Sequence, residues 1–247
     1  MKNIIVANWK TNPTNQKDAM ELFDAVKNGI GNLNNTEVVI CPPFVYLPLF
    51  AGLTLGAQNV YFKESGAFTG EISPLMLKNS KVDYVIVGHS ERRKYFNENN
   101  ELINSKIKSA LAVGLKVIFC VGENEGENKL EILATQITEG LVGISETDLV
   151  NLVIAYEPVW AIGTGKNCGI EETADSVGAI RKIIEKLYNK NISENIAILY
   201  GGSVKSENSG EYLKNGLSAQ SGGVNGLLVG GASLKAEEFV KIVKLAE

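Results

Sequence analysis

Histidine is almost absent: the 247-residue chain carries one, His89. That excludes a multi-histidine metal site, and any imidazole chemistry must fall on this one residue. Cysteine is scarce too. Cys41, Cys120 and Cys168 are odd in number, far apart and outside any CxxC pair, which supports neither a disulfide framework nor a metal centre. Basic charge is not in excess, with 24 Lys and Arg against 28 Asp and Glu and a formal net charge of −4. No nucleic-acid partner and no anionic membrane surface is expected from that balance. No apolar run approaches the ~20 residues of a membrane-spanning helix. The opening MKNIIVANWK is too short and polar for a secretory leader, so a cytoplasmic location is the default expectation. No Pro- or Ser-rich linker divides the chain, and the Gly-containing stretch Gly216 to Gly223 reads as a surface loop inside one domain spanning residues 1–247.

What is present is a regular alternation. Short apolar, β-branched runs occur at Ile4–Ala7, Val38–Cys41, Thr54–Ala57, Tyr84–Val87, Lys116–Val121, Leu152–Tyr156, Ala197–Tyr200 and Gly226–Val229. They do not alternate polar with apolar residues, as expected of parallel strands covered on both faces. Helical stripes lie between them: Ile103, Ile107, Ala110 and Leu111; Val177, Ile180, Ile184 and Leu187; Phe239, Ile242 and Val243. Strand and helix periods of roughly 30 residues, repeated about eight times, predict an α/β fold of the (β/α)8 barrel type. A doubly wound open sheet shows the same alternation, but its GxGxxG turn is missing after the first strand, where the chain reads Ala7-Asn8-Trp9-Lys10.

In such a barrel the reactive groups gather at the C-terminal ends of the strands. Strand one ends in Asn8-Trp9-Lys10, strand four in Gly88-His89-Ser90-Glu91, strand six in Glu157-Pro158, strand seven in Gly201-Gly202-Ser203 and strand eight in Gly230-Gly231. An amine, an imidazole, a carboxylate and two glycine turns therefore share one face. Lys10 offers a fixed positive charge for an anionic substrate, with Asn8 orienting it, or alternatively a Schiff-base amine. His89 precedes a helix start, whose dipole disfavours the charged imidazolium and leaves a neutral hydrogen-bond donor; a buried structural histidine is the plainer reading. Glu157 sits between a buried strand and the apolar run Pro158 to Lys166, which has the composition of a lid that excludes water from a base. The two glycine turns match a phosphate site built from backbone N–H groups.

These residues resemble one family. The run Ala155-Tyr156-Glu157-Pro158-Val159-Trp160-Ala161-Ile162-Gly163-Thr164-Gly165-Lys166 is similar to the signature of triosephosphate isomerases. Its companions occur in the family's order: Asn8-Trp9-Lys10, the Gly66 to Glu71 loop, Gly88-His89-Ser90-Glu91-Arg92-Arg93, Cys120-Val121-Gly122-Glu123, Tyr200-Gly201-Gly202-Ser203-Val204 and Leu228 to Ser233. The resemblance implies a homodimeric barrel enzyme of glycolysis and gluconeogenesis that interconverts dihydroxyacetone phosphate and D-glyceraldehyde 3-phosphate without cofactor or metal. It implies Glu157 as base, His89 as neutral electrophile, and Lys10 and Asn8 on the developing enediolate. It further implies Gly163, Ser203, Gly230 and Gly231 on the phosphate, Glu91 in support, and Thr69 reaching into the neighbouring subunit. Three departures stand out: the Lys205 to Asn225 segment is longer than expected, Asn225 stands where the family often has aspartate, and the region after Glu123 is shortened. The rival readings are a phosphosugar aldolase with Lys10 as Schiff-base amine, and a barrel kept for binding or structure alone.

Overall fold

The computed structural model describes residues 2–162, 168–214 and 223–247. Eight strands run in chain order: β1 (Asn3–Asn8), β2 (Thr36–Cys41), β3 (Thr54–Ala57), β4 (Tyr84–Val87), β5 (Lys116–Val121), β6 (Leu152–Tyr156), β7 (Ala197–Tyr200) and β8 (Gly226–Val229). Each pairs in parallel with its sequence neighbour, and β1 pairs with β8 in register from Ile4↔Gly226 to Ala7↔Val229. That last pairing closes the sheet and excludes the open doubly wound alternative. Closure also removes every free strand edge.

Helices cover the outside: α1 (Gln16–Ile30), α2 (Pro74–Asn79), α3 (Ser90–Phe96), α4 (Asn100–Ala112), α5 (Lys129–Gly140), α6 (Ile170–Leu187), α7 (Lys190–Asn195), α8 (Ser206–Lys214) and α9 (Ala236–Ala246). Five of their starts are capped by short polar side chains. Asn15, Ser73, Asn99, Asn128 and Asn189 each accept a first-turn backbone N–H, satisfying donors that the helix itself leaves unpaired.

The period of two along the strands sorts their side chains into two cores. One set faces into the barrel, with Ile4, Val6, Val39, Cys41, Ile86, Ile118, Cys120, Ala155 and Leu199 among its members. The other, including Ile5, Ala7, Val38, Val85, Phe119 and Ile154, packs against Phe23 of α1, Ile103 of α4, Ile180 of α6 and Phe239 of α9. Burial on both faces explains why the strand segments read as uninterrupted apolar runs. The helical stripes are buried as expected with one correction: Leu187, at the last position of α6, is exposed, because a helix end has run past the sheet it covers. Residues 216–222 of the expected surface loop, Gly216 to Gly223, lie outside the described residues.

Candidate active site

The end of β1 turns abruptly into the barrel mouth. Lys10 has φ 55, a left-handed conformation that a non-glycine residue holds only when its surroundings impose it. Here the Lys10 N–H donates to Asn8 Oδ1 at 3.1 Å, and Gln58 Nε2 donates to the Lys10 carbonyl at 2.8 Å and to the Cys41 carbonyl at 2.9 Å. The turn aims the amine at Glu91, with which Lys10 Nζ forms an ion pair. At the end of the neighbouring strand β8, a Cβ on Gly230 would stand 3.3 Å from Lys10 Cε, so the glycine leaves room for the lysine stem.

After β4 the chain passes through Gly88 (φ 76) directly into α3, with His89 as its N-cap. The cap is the imidazole itself: Nδ1 accepts the Glu91 N–H at 3.2 Å. An acceptor nitrogen carries no proton, which in this geometry leaves Nε2 as the ring's N–H. Nε2 faces Glu157, whose Oε1 is 3.1 Å away. Oε2 of the same carboxylate accepts the Ser90 N–H at 3.0 Å, so the first peptide of α3 and the imidazole grip Glu157 together.

Glu157 is 2% exposed, and its position depends on two neighbours without side chains. A Cβ on Gly122 would fall 1.7 Å from the Glu157 carbonyl oxygen, and one on Gly201 would lie 3.0 Å from Glu157 Cγ. The Cys120 thiol lies beside the carboxylate and is held protonated, raised well above its ordinary pKa by burial first and by the Glu157 charge second. Arg93, at the back of the site, donates to the Gly88 carbonyl at 2.9 Å and to Asn100 Oδ1 at 2.6 Å; burial lowers its pKa. Just past Glu157, Trp160 Nε1 donates to Glu123 Oε1 at 3.1 Å, and the Tyr156 hydroxyl reaches the same oxygen at 3.0 Å.

Two backbone turns complete the mouth. The Gly201 N–H is held by the Tyr156 carbonyl at 2.8 Å, and Ser203 Oγ donates to the Ala161 carbonyl at 2.6 Å. After β8, a short 3-10 turn spans Gly231–Leu234, with Ser233 Oγ donating back to the Gly230 carbonyl at 2.7 Å. Asn8, Lys10, His89, Glu157, Ser203, Gly230 and Gly231 all line one cavity of about 580 Å³. A carboxylate, an imidazole, an ammonium group and two glycine turns lining one cavity suit a small anionic substrate with an acidic C–H.

The family model for triosephosphate isomerase matches residues 3–246. A triosephosphate isomerase of Dictyoglomus thermophilum is 45% identical over 98% of this chain and 99% of its own length. That of Caldanaerobacter subterraneus is 47% identical over 97% and 98%, and that of Clostridium tetani 45% over 98% and 96%. The chain belongs to the triosephosphate isomerase family.

Against the family's motifs, the positions divide three ways. Seven of the residues named from sequence line the cavity, whereas Glu91 stands behind Lys10 and Thr69 is exposed on the loop after β3, outside the cavity lining. Gly163 lies outside the described residues. Several residues that matter to the mouth have no role in the sequence reading: Gln58, Cys120, Gly122 and Glu123, together with Lys205, Glu207, Lys235 and Glu238 of the cavity lining. A signal for the first four was available. They sit at or just past the C-terminal ends of strands three and five, where the same rule that named the other ends applies. Among the described residues of this triosephosphate isomerase family member, no group of three or more His, Cys, Asp or Glu side chains is arranged to hold a metal ion, and no helix is long and apolar enough to cross a membrane.

Proposed function

We propose that this chain interconverts dihydroxyacetone phosphate and D-glyceraldehyde 3-phosphate, with Glu157 as the base and without cofactor or metal. The observation that carries the reading is the buried Glu157 carboxylate facing Nε2 of a histidine whose Nδ1 is already occupied by the Glu91 N–H. Glu157 removes the proton from the carbon beside the carbonyl, and the electron pair moves onto the carbonyl oxygen. The growing negative charge meets the His89 Nε2–H, the Lys10 ammonium and the Asn8 amide, donors in place before the reaction begins. The proton then returns to the adjacent carbon, which completes the aldose–ketose exchange. Backbone N–H groups at Gly230 and Gly231, with Ser203 and Gly163, hold the phosphate at the far end. In this reading the run Pro158 to Lys166, of which residues 163–166 lie outside the described residues, serves to cover the substrate, because an enediolate exposed to water is open to side reactions.

The aldolase reading is weaker on one specific ground. A Schiff-base amine must be free to attack a carbonyl, whereas the Lys10 amine is engaged by the Glu91 carboxylate. The native species is a homodimer in this reading, with Thr69 beside the partner's mouth. Exposure of Phe68, Met76, Tyr95 and Phe96 supports an apolar contact face. The reaction belongs to glycolysis and gluconeogenesis, in the cytoplasm, with no nucleic-acid partner.

A coupled isomerase assay of the wild type beside Glu157→Gln tests both levels. The variant is expected to lose between about 10² and 10⁴ in kcat, the span of a general base. An inactive wild type sinks the function, and a fully active variant sinks the assigned base. Sedimentation of the active species is expected to give a dimer; an active monomer overturns that part.

A further inference from the structure

Both ends of the run that follows Glu157 are tied to one unit, the turn after β7 together with α8. At the near end the tie is Ser203 Oγ on the Ala161 carbonyl. At the far end, Cys168 is fully buried, and both of its peptide groups are held by tyrosine hydroxyls. Its N–H donates to the Tyr200 hydroxyl at 3.0 Å, and its carbonyl accepts from the Tyr212 hydroxyl at 2.5 Å. The two rings are stacked, 4.2 Å between centroids with 19° between planes. Tyr200 is wedged against the turn: a Cβ on Gly202 would come 2.2 Å from its hydroxyl oxygen. Tyr212 lies in α8 and is 3% exposed. The stack therefore links the turn after β7, the helix behind it and the residue where the covering run rejoins the barrel.

We propose that Tyr212 is a positioning residue for the isomerisation: by holding the Cys168 carbonyl it fixes where the run over the substrate returns, in register with the phosphate-binding turn. The proposal rests on the reading of Pro158 to Lys166 as that cover. Its chemical consequence concerns the fate of the enediolate. When the intermediate is loosely held, its electron pair forms a C=C bond as the C–O bond to phosphate breaks. Inorganic phosphate leaves, and the resulting enol tautomerises to methylglyoxal without any further reactant. Holding the phosphate and excluding water suppresses this route.

Tyr212→Phe keeps the ring and its stack and removes only the hydroxyl. Wild type and variant are compared well below the variant's melting temperature. The measurements are phosphate release relative to isomerisation of the same triose phosphate, and hydrogen exchange at the Cys168 amide. The ratio is expected to rise between about 2- and 10-fold, the span of one lost hydrogen bond, with faster exchange at Cys168. A variant that is merely less stable leaves the ratio unchanged, because the ratio does not depend on how much enzyme is active. A wild-type ratio in the folded variant overturns the proposal, and unchanged exchange at Cys168 overturns the clamp itself. A wild type that fails to isomerise instead removes the functional reading, while the exchange rate still reports on Tyr212.

Discussion

At the mouth of the barrel a buried carboxylate, Glu157, meets His89 Nε2, the Ser90 N–H and the Cys120 thiol. At the opposite floor a buried guanidinium, Arg181 of α6, meets the carbonyls of Ser193 and Ile196 and the side-chain oxygen of Asn225, at 3.4 Å for the last. Both ends thus surround an ionisable group with neutral dipoles in direct contact. The chemical outcomes differ. A carboxylate at the mouth has a proton to exchange with a substrate. A guanidinium has no proton to exchange in the working pH range, so neutral partners at the floor give it no comparable use. Burial lowers its pKa, and among the described residues its Nε is buried without a hydrogen-bond partner. The floor looks like an ion pair with one half replaced; the mouth is complete as it stands.

The largest effect is expected from crowding the mouth. Gly122→Ala places a methyl group against the Glu157 carbonyl oxygen, where the two strand ends have no space to give. A loss of about 3 kcal/mol, the upper end of ordinary overpacking, is expected by urea unfolding, along with reduced kcat as Glu157 shifts. Loss of activity without loss of stability would show that the glycine serves only the position of the base; an unperturbed variant would remove the close approach from the account.

Asn225→Asp should act at the floor with the opposite sign. The new carboxylate keeps the Ile198 N–H that Asn225 Oδ1 accepts at 2.9 Å and adds a charge for Arg181. A hydrogen bond to a charged group contributes about 1.5–3 kcal/mol, and the lower end is expected here, read as a raised Tm with kcat unchanged. The gain has a pH sign. A carboxylate whose pKa falls on folding adds stability above its unfolded value and loses it as pH drops through the folded value, so the advantage should fade below the ordinary carboxylate range. A variant no more stable than wild type at neutral pH would mean that the neutral dipoles already satisfy Arg181.

The smallest effect is expected at the floor's exposed charges. Glu37 accepts the Tyr84 hydroxyl at 2.9 Å and lies 3.8 Å from Lys116 Nζ, with side chains 29% and 43% exposed. Solvent screens such a pair, so Glu37→Gln should change stability by less than about 1 kcal/mol and leave kcat/KM alone. A large loss of activity there would break the division between a chemical mouth and a structural floor.

Much of the fold was legible because the relevant signals are local. The runs at Thr54–Ala57, Tyr84–Val87, Lys116–Val121, Leu152–Tyr156, Ala197–Tyr200 and Gly226–Val229 coincide with the strands, since burial on both faces leaves no polar alternation to blur them. The first two strands begin earlier than read, at Asn3 and Thr36, where polar residues carry the pairing outward. Leu187 was misplaced because helical period continues to a helix end whether or not anything lies beneath it. The site residues at the ends of strands one, four, six, seven and eight were legible from position. Gln58 and Gly122 share that kind of position, but what they do depends on Lys10 and Glu157, which are distant in sequence.

The sequence alone determined the alternation of strand and helix, the single imidazole available for chemistry and the candidate base, because composition and period are properties of neighbouring residues. Only the tertiary structure decided that the sheet closes through β1 and β8, that His89 is capped at Nδ1 and therefore presents Nε2–H to Glu157, and that Lys10 is turned onto Glu91. The physical reason is range. A hydrogen bond or a missing Cβ acts over a few ångströms, and the residues it joins at this mouth come from different strands that only the closed barrel brings together.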